Sequence, residues 1–225
     1  LDRGAIRVRT ELKNQQELQA SVMQTIGTVY LALGLTGEAE SLMQESLAIR
    51  RRLFGDGHPL VIESLTGVAE VERNKGNWDE AQRLAEEALA ISRRLTGDDS
   101  VATANALRNL GMVHYDRGAV DLAENMLRES LALSVKHLGE DAPELTNVLD
   151  MLGRLAQGRG NFAEAEQLLT RALQIERKAS GVDHPLSIQR LHNLGTFFWS
   201  TGKLDAAEAN IREALAQYER VLGAD

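Results

Sequence analysis

Apolar residues recur along this chain at spacings of three and four, the pattern of helices that bury one face. In the middle of the sequence, one such stripe runs from about Ser100 to Arg117 and a second runs from about Asp121 to His137. Gly118 lies between them and suits a helix end, because glycine readily adopts the left-handed conformation of that position. The pattern therefore predicts two consecutive helices joined by a short turn.

This helix pair repeats along the whole chain every 42 residues, as from Gly34 to Gly76 and from Gly76 to Gly118. Because the interval never drifts, the pattern predicts a stack of repeats rather than a fold around one central core. Four series of residues keep the interval through five repeats: Gly34, Gly76, Gly118, Gly160 and Gly202; Gly55, Gly97, Gly139, Gly181 and Gly223; Ala39, Ala81, Ala123, Ala165 and Ala207; Leu47, Leu89, Leu131, Leu173 and Leu215.

We therefore predict a single repeat array over residues 1–225. Residues 1–14 would form the trailing helix of a partial repeat, with an apolar stripe of Leu1, Ala5, Val8 and Leu12. Five helix-pair repeats follow, with the bounds 15–56, 57–98, 99–140, 141–182 and 183–225.

The loops between repeats predict where each first helix begins. The three prolines of the chain occupy the same position within the 42-residue repeat. Proline suits the first helical position because it has no amide hydrogen to leave unpaired. Aspartates just before this position are expected to cap the helices. These residues are Pro59, Pro143 and Pro185, with Asp99, Asp141 and Asp183. Trp78 and Phe162 begin second helices and are expected in the core.

The second helix of the last repeat is polar at two positions where the earlier repeats are apolar. Asn210 replaces the equivalent of Leu168, and Gln217 replaces the equivalent of Ile175. Because a terminal repeat needs a polar outer face, we expect these two residues to cap the array. The array would then end near Gly223, and any truncation would lie on the N-terminal side.

Three series of small residues distinguish this repeat from armadillo-like and HEAT-like repeats of similar length. Together with Met23…Ile26-Gly27…Tyr30, they resemble the tetratricopeptide signature. The series are Gly27, Ala69, Gly111, Gly153 and Gly195; the Ala39 series twelve residues later; and Ser46, Ala88, Ser130, Ala172 and Ala214 another seven later. The chain is therefore expected to be all-α, a right-handed superhelical solenoid of antiparallel helix pairs.

Several segments resemble the 42-residue repeats of kinesin light chains over about residues 16–223: Asn109-Leu110-Gly111, Asn193-Leu194-Gly195, AEQLLTRALQIE and GVDHP. The resemblance implies that first helices line a concave groove in which an extended peptide lies. The opening, LDRGAIRVRTEL followed by QELQA and IGTVYLALGL, also resembles the repeat region of some bacterial multidomain Ser/Thr kinases. We therefore expect a bacterial, cytoplasmic protein, with this chain as a non-catalytic part.

Composition and candidate chemistry narrow the function further. The net charge of -8 argues against nucleic acid as a partner. The absence of cysteine excludes disulfides and thiolate metal sites. No apolar run approaches the roughly 20 residues of a membrane span, so we expect no membrane insertion. No two histidines have the spacing of a helical metal pair, and kinase motifs are missing. We therefore expect neither an enzyme nor a cofactor or metal.

The side chains that flank the buried stripe of the first helices are the candidate ligand contacts. Asparagine can pair with a peptide main chain, arginine can bind a carboxylate, and methionine, tyrosine and tryptophan offer apolar area. The candidates are Asn105, Arg108, Asn109, Met112 and Tyr115 in the third repeat, Asn147, Met151 and Arg154 in the fourth, and Gln189, His192, Asn193 and Trp199 in the fifth.

These observations predict a protein–protein interaction scaffold that binds an extended or partly helical peptide segment in the concave groove. The alternative is a regulatory or self-association region of a bacterial signalling protein, such as a Ser/Thr kinase or a transcriptional regulator. A clamp for a terminal carboxylate is disfavoured, because Gln24 and Thr28 occupy the places where such a clamp carries Lys and Asn.

Overall fold

The computed structural model describes residues 2–223, which form α-helices and no strand. The all-α prediction is confirmed, and each of the five predicted repeat ranges contains one first helix and one second helix. The helices are α1 (Asp2–Glu11), α2 (Gln16–Ala32), α3 (Thr36–Phe54), α4 (Pro59–Asn74), α5 (Trp78–Thr96), α6 (Val101–Asp116), α7 (Val120–Leu138), α8 (Leu145–Gly158), α9 (Phe162–Ser180), α10 (Pro185–Ser200) and α11 (Leu204–Leu222). Even numbers from α2 onward are first helices and odd numbers are second helices.

The chain forms two compact units that divide between Met126 and Leu127. In the first unit, α2 packs on α3 and α4 on α5, while α3 and α5 also pack on the first helices that follow them. In the second unit, α8 packs on α9, and α10 packs on both α9 and α11. Each unit is therefore a stack of helix pairs. The single array over residues 1–225 stays a prediction.

Small residues allow the two helices of a pair to approach closely. A Cβ atom added to Gly153 of α8 would lie 2.8 Å from Cγ of Leu169 in α9, and one added to Gly27 would lie 2.8 Å from Cγ of Met43. Ala39 and Ala165 on the facing second helices are fully buried. The small-residue series are thus contacts within helix pairs, as the sequence predicted.

The apolar stripe predicted for the partial repeat is described in part. Val8 of α1 is buried and Leu12 is half-buried. Leu1 and the side chain of Ala5 lie outside the described residues. Gln19 of α2 donates from Nε2 to the Val8 carbonyl oxygen over 3.1 Å, which ties α1 to the first complete repeat.

Three first helices, α4, α6 and α10, are capped by side chains other than the predicted aspartates. Nδ1 of His58 accepts from the Leu60 amide over 3.2 Å, and His184 does the same for Leu186. For α6 the cap is Ser100, whose Oγ accepts from the Thr103 amide. Histidine and serine therefore supply the acceptor that the exposed amides of a helix start require.

The aspartate prediction fails at Asp141 and Asp183 because their carboxylates pair with second helices, Asp141 with Lys178 over 2.5 Å and Asp183 with Arg220 over 2.6 Å. Proline begins α4 and α10 as predicted, but Pro143 does not begin α8. There the amide of Leu145 binds the Ala142 carbonyl in a tighter turn, which delays the α-helix by two residues.

Two predictions about surface and core are also wrong. Trp78 and Phe162 are exposed rather than buried, since each occupies the first residue of its second helix, ahead of the packed part. Gln217 is only 2% exposed and Asn210 is half-buried, so neither forms a polar outer face on α11. Both side chains instead bind within their own helix, Asn210 to the Ala206 carbonyl and Gln217 to Glu213.

Ion pairs 36 residues apart connect successive second helices within each unit. Their arginine and glutamate side chains are on the outside, where each pair is worth at most about 1 kcal/mol. Arg9 also lowers the pKa of the Glu45 carboxyl by hydrogen bonding to it. The pairs are Arg9–Glu45 and Arg51–Glu87 in the first unit, and Arg128–Glu164 and Arg177–Glu213 in the second.

Buried His114 should make the stability of the protein depend on pH. Burial lowers the pKa of this imidazole in the fold, so below pH of about 6.5 the unfolded chain binds the proton more readily. The free energy of unfolding should therefore fall as the pH drops through this range. Urea unfolding at pH 7.5 and 5.5 should show a smaller fall for His114→Gln than for the wild type. An equal fall in His114→Gln and in the exposed control His192→Gln would contradict this assignment.

Candidate peptide-binding face

First helices of neighbouring repeats lie side by side within each unit, and side chains about 43 residues apart connect them. In the first unit, Nδ2 of Asn109 on α6 lies 3.4 Å from Oγ1 of Thr66 on α4. Further along, Arg73 donates to Asp116 over 2.7 Å. We call the side of α4 and α6 that carries these contacts the first-helix face of this unit.

The same arrangement recurs in the second unit between α8 and α10. Arg190 donates to Oδ1 of Asn147 over 2.8 Å, and Asn193 donates to Oδ1 of Asp150 over 3.4 Å. Nearer the C-terminal ends, Gln157 donates to Ser200 over 2.8 Å. These contacts define the first-helix face of the second unit.

Arg108 is the distinctive charge on the face of the first unit. Its side chain is half-buried, and no carboxylate of residues 2–223 lies within the 4.0 Å of an ion pair. Burial lowers the pKa of the guanidinium, while the more distant charge of Glu70 opposes this shift. Its hydrogen bond is a long one, 3.4 Å to Oδ1 of Asn109. Arg108 is therefore a partly desolvated cation without a partner anion.

The other predicted residues of α6 surround this guanidinium along the helix. Asn105 is exposed, and Asn109, Met112 and Tyr115 are half-buried. All five predicted residues of the third repeat thus belong to one helix, and Asn109 also reaches α4.

Buried charges organise the face of the second unit. Arg190, which is buried, lies 3.2 Å from Glu176 of α9 and donates to Thr146 and Asn147 of α8. The carboxylate of Asp150, also buried, lies 3.9 Å from Arg190. A buried ion pair is stable only when its remaining donors and acceptors are also satisfied, and here the polar groups of α8 satisfy them.

This network extends to the predicted ligand contacts. Nε of Arg154 lies 3.1 Å from Oδ2 of Asp150, and Arg154 is itself exposed. These partners determine which amide group of each asparagine stays available to a ligand. Asn147 accepts from an arginine through its oxygen, so its NH2 group is left to donate. Asn193 donates its NH2 group to a carboxylate, so its oxygen is left to accept. The face therefore offers one amide donor and one amide acceptor.

The remaining predicted residues of the second unit differ in exposure. Gln189 and His192 are exposed on α10, and Met151 is half-buried on α8. Trp199 is 66% exposed, an unusual state for so large an apolar side chain. The structure thus links Asn147, Arg154 and Asn193 through Asp150 and Arg190, while the other four lie on the same two helices, α8 and α10.

Sequence reasoning missed Glu176 and Arg190. Aligning the repeats could have indicated Glu176. The equivalent residue in the first complete repeat is Arg50, which is also charged and buried. Arg50 donates hydrogen bonds to Ser64 and to the Leu60 carbonyl of the following first helix. A charged residue at an otherwise buried phase therefore indicates a polar contact between repeats.

Among residues 2–223, no group of three or more His, Asp or Glu side chains is placed to hold a metal ion. In the same part of the chain, no helix combines the length and the apolar character needed to cross a membrane.

Comparison with protein families agrees with the repeat signature. A family model described as tetratricopeptide repeat matches residues 63–134 and 138–222, and another of the same description matches residues 19–60. No curated protein sequence matches the chain significantly. The repeat type predicted from the small-residue series is thereby confirmed.

Solved structures similar to this chain include kinesin-light-chain-like repeats. BtubC (BKLC) from P. vanneervenii is 23% identical with a TM-score of 0.74, covering 100% of this chain and 90% of that one. A protein of nearly identical TPR-like repeats from Podosopora anserina, named as a candidate kinesin light chain, is 21% identical with a TM-score of 0.65, covering 92% and 99%. A Rap protein complexed with Competence and Sporulation Factor is 13% identical with a TM-score of 0.63, covering 92% and 65%. At these identities the likeness concerns the fold alone.

Proposed function

The chain belongs to the tetratricopeptide repeat family, and we propose that it is a scaffold whose first-helix faces bind an extended, acidic segment of another protein. Such repeats generally mediate protein–protein interaction. The observation that carries the proposal is Arg108, a half-buried guanidinium without a carboxylate partner.

A carboxylate of the ligand would supply the negative charge that Arg108 lacks. Burial has already removed part of the hydration of this cation, so the protein has met part of the desolvation cost before the ligand arrives. A guanidinium presents two parallel N–H groups to a carboxylate, which adds geometric selectivity to the charge. An aspartate or glutamate of the ligand therefore fits this place better than an uncharged side chain.

The second unit supplies contacts of another kind. The free donor of Asn147 and the free acceptor of Asn193 match the carbonyl and amide of an extended main chain, whatever its side chains. Trp199 supplies exposed aromatic area for an apolar anchor residue of the ligand. Within the second unit, main-chain pairing would thus come from the network around Asp150, and a preference for an apolar residue would come from Trp199.

The charges of the second helices favour the first-helix faces as the binding surface. Arg51 and Arg177 of the second helices are neutralised by Glu87 and Glu213 of the next repeat. An acidic ligand would have to break these pairs, whereas it meets no such competitor at Arg108.

The proposal can be tested with peptides selected from a random phage-displayed library on the intact protein. We expect selected sequences to be enriched in Asp and Glu. Arg108→Gln should weaken the binding of a selected synthetic peptide by about 2 kcal/mol, roughly 30-fold, as expected for an anchor residue. Circular dichroism should show unchanged folding, because the side chain is not part of the core.

Arg83→Gln is the matched control, since Arg83 is an exposed arginine on α5 that already pairs with Glu80. It should change affinity by less than about twofold. Selected peptides without acidic enrichment, or equal affinities for Arg108→Gln and Arg83→Gln, would contradict the proposal.

A further inference from the structure

Two side chains of opposite charge on the first-helix face of the first unit lack a close counter-charge. One is Arg108 of α6. The other is Glu70 of α4, whose exposed carboxylate lies 4.0 Å from Arg73, its nearest cation among residues 2–223. Arg73 itself donates to Asp116 over 2.7 Å. The face therefore carries an unpaired cation on one helix and an unpaired anion on the neighbouring helix.

Glu70 differs from the other exposed carboxylates of these two helices. Glu63 lies 3.3 Å from Nη1 of Arg50, and Asp116 accepts from Arg73. An exposed glutamate without a partner is ordinary on a protein surface, but Glu70 also acts on Arg108. Burial lowers the pKa of the Arg108 guanidinium, and the charge of Glu70 raises it. The two charges therefore interact although they are too far apart to form an ion pair.

Contacts between α4 and α6 define how these two charges are staggered. Thr66 of α4 lies beside Asn109 of α6. A second contact, seven residues further along both helices, shows that they run in the same direction. Relative to the first contact, Arg108 is one residue back on α6 and Glu70 is four residues ahead on α4. At 1.5 Å per helical residue, the two positions differ by about 7.5 Å along the helix direction.

An extended peptide can place two side chains at such a separation. Alternate side chains of an extended chain point to the same side, and two residues advance it by about 7 Å. A ligand carboxylate at Arg108 would be repelled by Glu70, since water screens charges less at a partly buried surface. A lysine or arginine two residues away from that carboxylate would pair with Glu70 and offset the repulsion.

We propose that Glu70 makes this face select a dipolar segment, in which the acidic residue for Arg108 has a basic residue for Glu70 two positions away. Glu70 would then be a specificity-determining residue, because it disfavours segments of uninterrupted negative charge. This selectivity rests on the proposed function, since it concerns the same ligand at the same face.

Selection from a random phage-displayed peptide library on the intact wild type and on Glu70→Lys tests this selectivity. On the wild type, selected peptides should carry Lys or Arg two residues away from an Asp or Glu. On Glu70→Lys, a second acidic residue should replace that basic residue. Glu38→Lys makes the same charge change at an exposed residue of α3, and it should select like the wild type.

Affinities of one pair of synthetic peptides give the size of the effect. In a peptide selected on the wild type, replacing the basic residue by Glu should weaken binding to the wild type about fivefold, as expected for exposed charges. The same replacement should strengthen binding to Glu70→Lys by a similar factor. If Glu70 acted only by altering Arg108, its replacement would change the affinity of both peptides equally, so the reversal requires contact between Glu70 and the ligand.

Failure of this selectivity differs from failure of the proposed function. Acidic enrichment that Arg108→Gln abolishes, but without basic residues two positions away, would overturn the role of Glu70 and leave the proposed function in place. An unchanged peptide preference in Glu70→Lys would do the same. Absence of acidic enrichment on the wild type would overturn both.

Discussion

Glu176→Gln is expected to destabilise the second unit by about 3–5 kcal/mol, because it leaves the buried guanidinium of Arg190 without its closest counter-charge. Their separation is 3.2 Å, and both side chains are buried. The change keeps the shape of the side chain, so the effect measures charge rather than a cavity. Urea unfolding followed by Trp199 fluorescence in a Trp78→Phe background should report it.

Two control variants test whether the loss of stability comes from the buried charge. Glu213→Gln removes the partner of Arg177 in a more exposed pair and should cost less than about 1 kcal/mol. The double change Glu176→Leu with Arg190→Leu should recover much of the lost stability, since apolar pairs often replace buried ion pairs without loss. A loss below about 1 kcal/mol in Glu176→Gln would mean that Arg190 is effectively solvated or held by Asp150.

Ala165→Leu is expected to cost about 1–3 kcal/mol by overpacking the α8–α9 pair. Ala165 is fully buried, and its carbonyl oxygen lies 3.5 Å from the place where Gly153 would carry a Cβ, so the two helices are in close contact at this position.

Ala163→Leu on the same helix is the matched control, because Ala163 is exposed and leucine is also a good helix former. The melting temperature should fall clearly for Ala165→Leu and remain close to the wild type for Ala163→Leu. Equal melting of both variants would remove the packing role given to the alanine series.

The 42-residue periodicity predicted the helices well, because every repeat gives the same indication of where its two helices begin and end. The glycine and alanine series placed the helix pairs. Gly118, which was predicted to end a helix, adopts a φ of 78°, and the other members of both glycine series also have positive φ, such as 76° at Gly97. Side chains other than glycine are strained in this conformation, which accounts for the constancy of these positions. Local backbone rules were therefore sufficient for the architecture.

Individual side-chain partners were harder to predict, since they depend on distances between repeats. Asp141 resembled a helix cap by its local sequence, but Lys178 of the next second helix competes for its carboxylate. Gln217 looked like an outward-facing residue because it is polar, yet its phase is buried. The role of Arg190 depends on Glu176 and Asp150, which only the folded chain brings together.

Mapping a selected acidic peptide by amide NMR tests the central claim most directly. The proposed function predicts that the largest shifts fall on the first helices, at Arg108 and Asn109 of α6 and around Asn147, Asn193 and Trp199 in the second unit. The second helices α3, α5 and α9 should change little. Shifts concentrated on those second helices, or on the loops between repeats, would contradict binding at the first-helix faces.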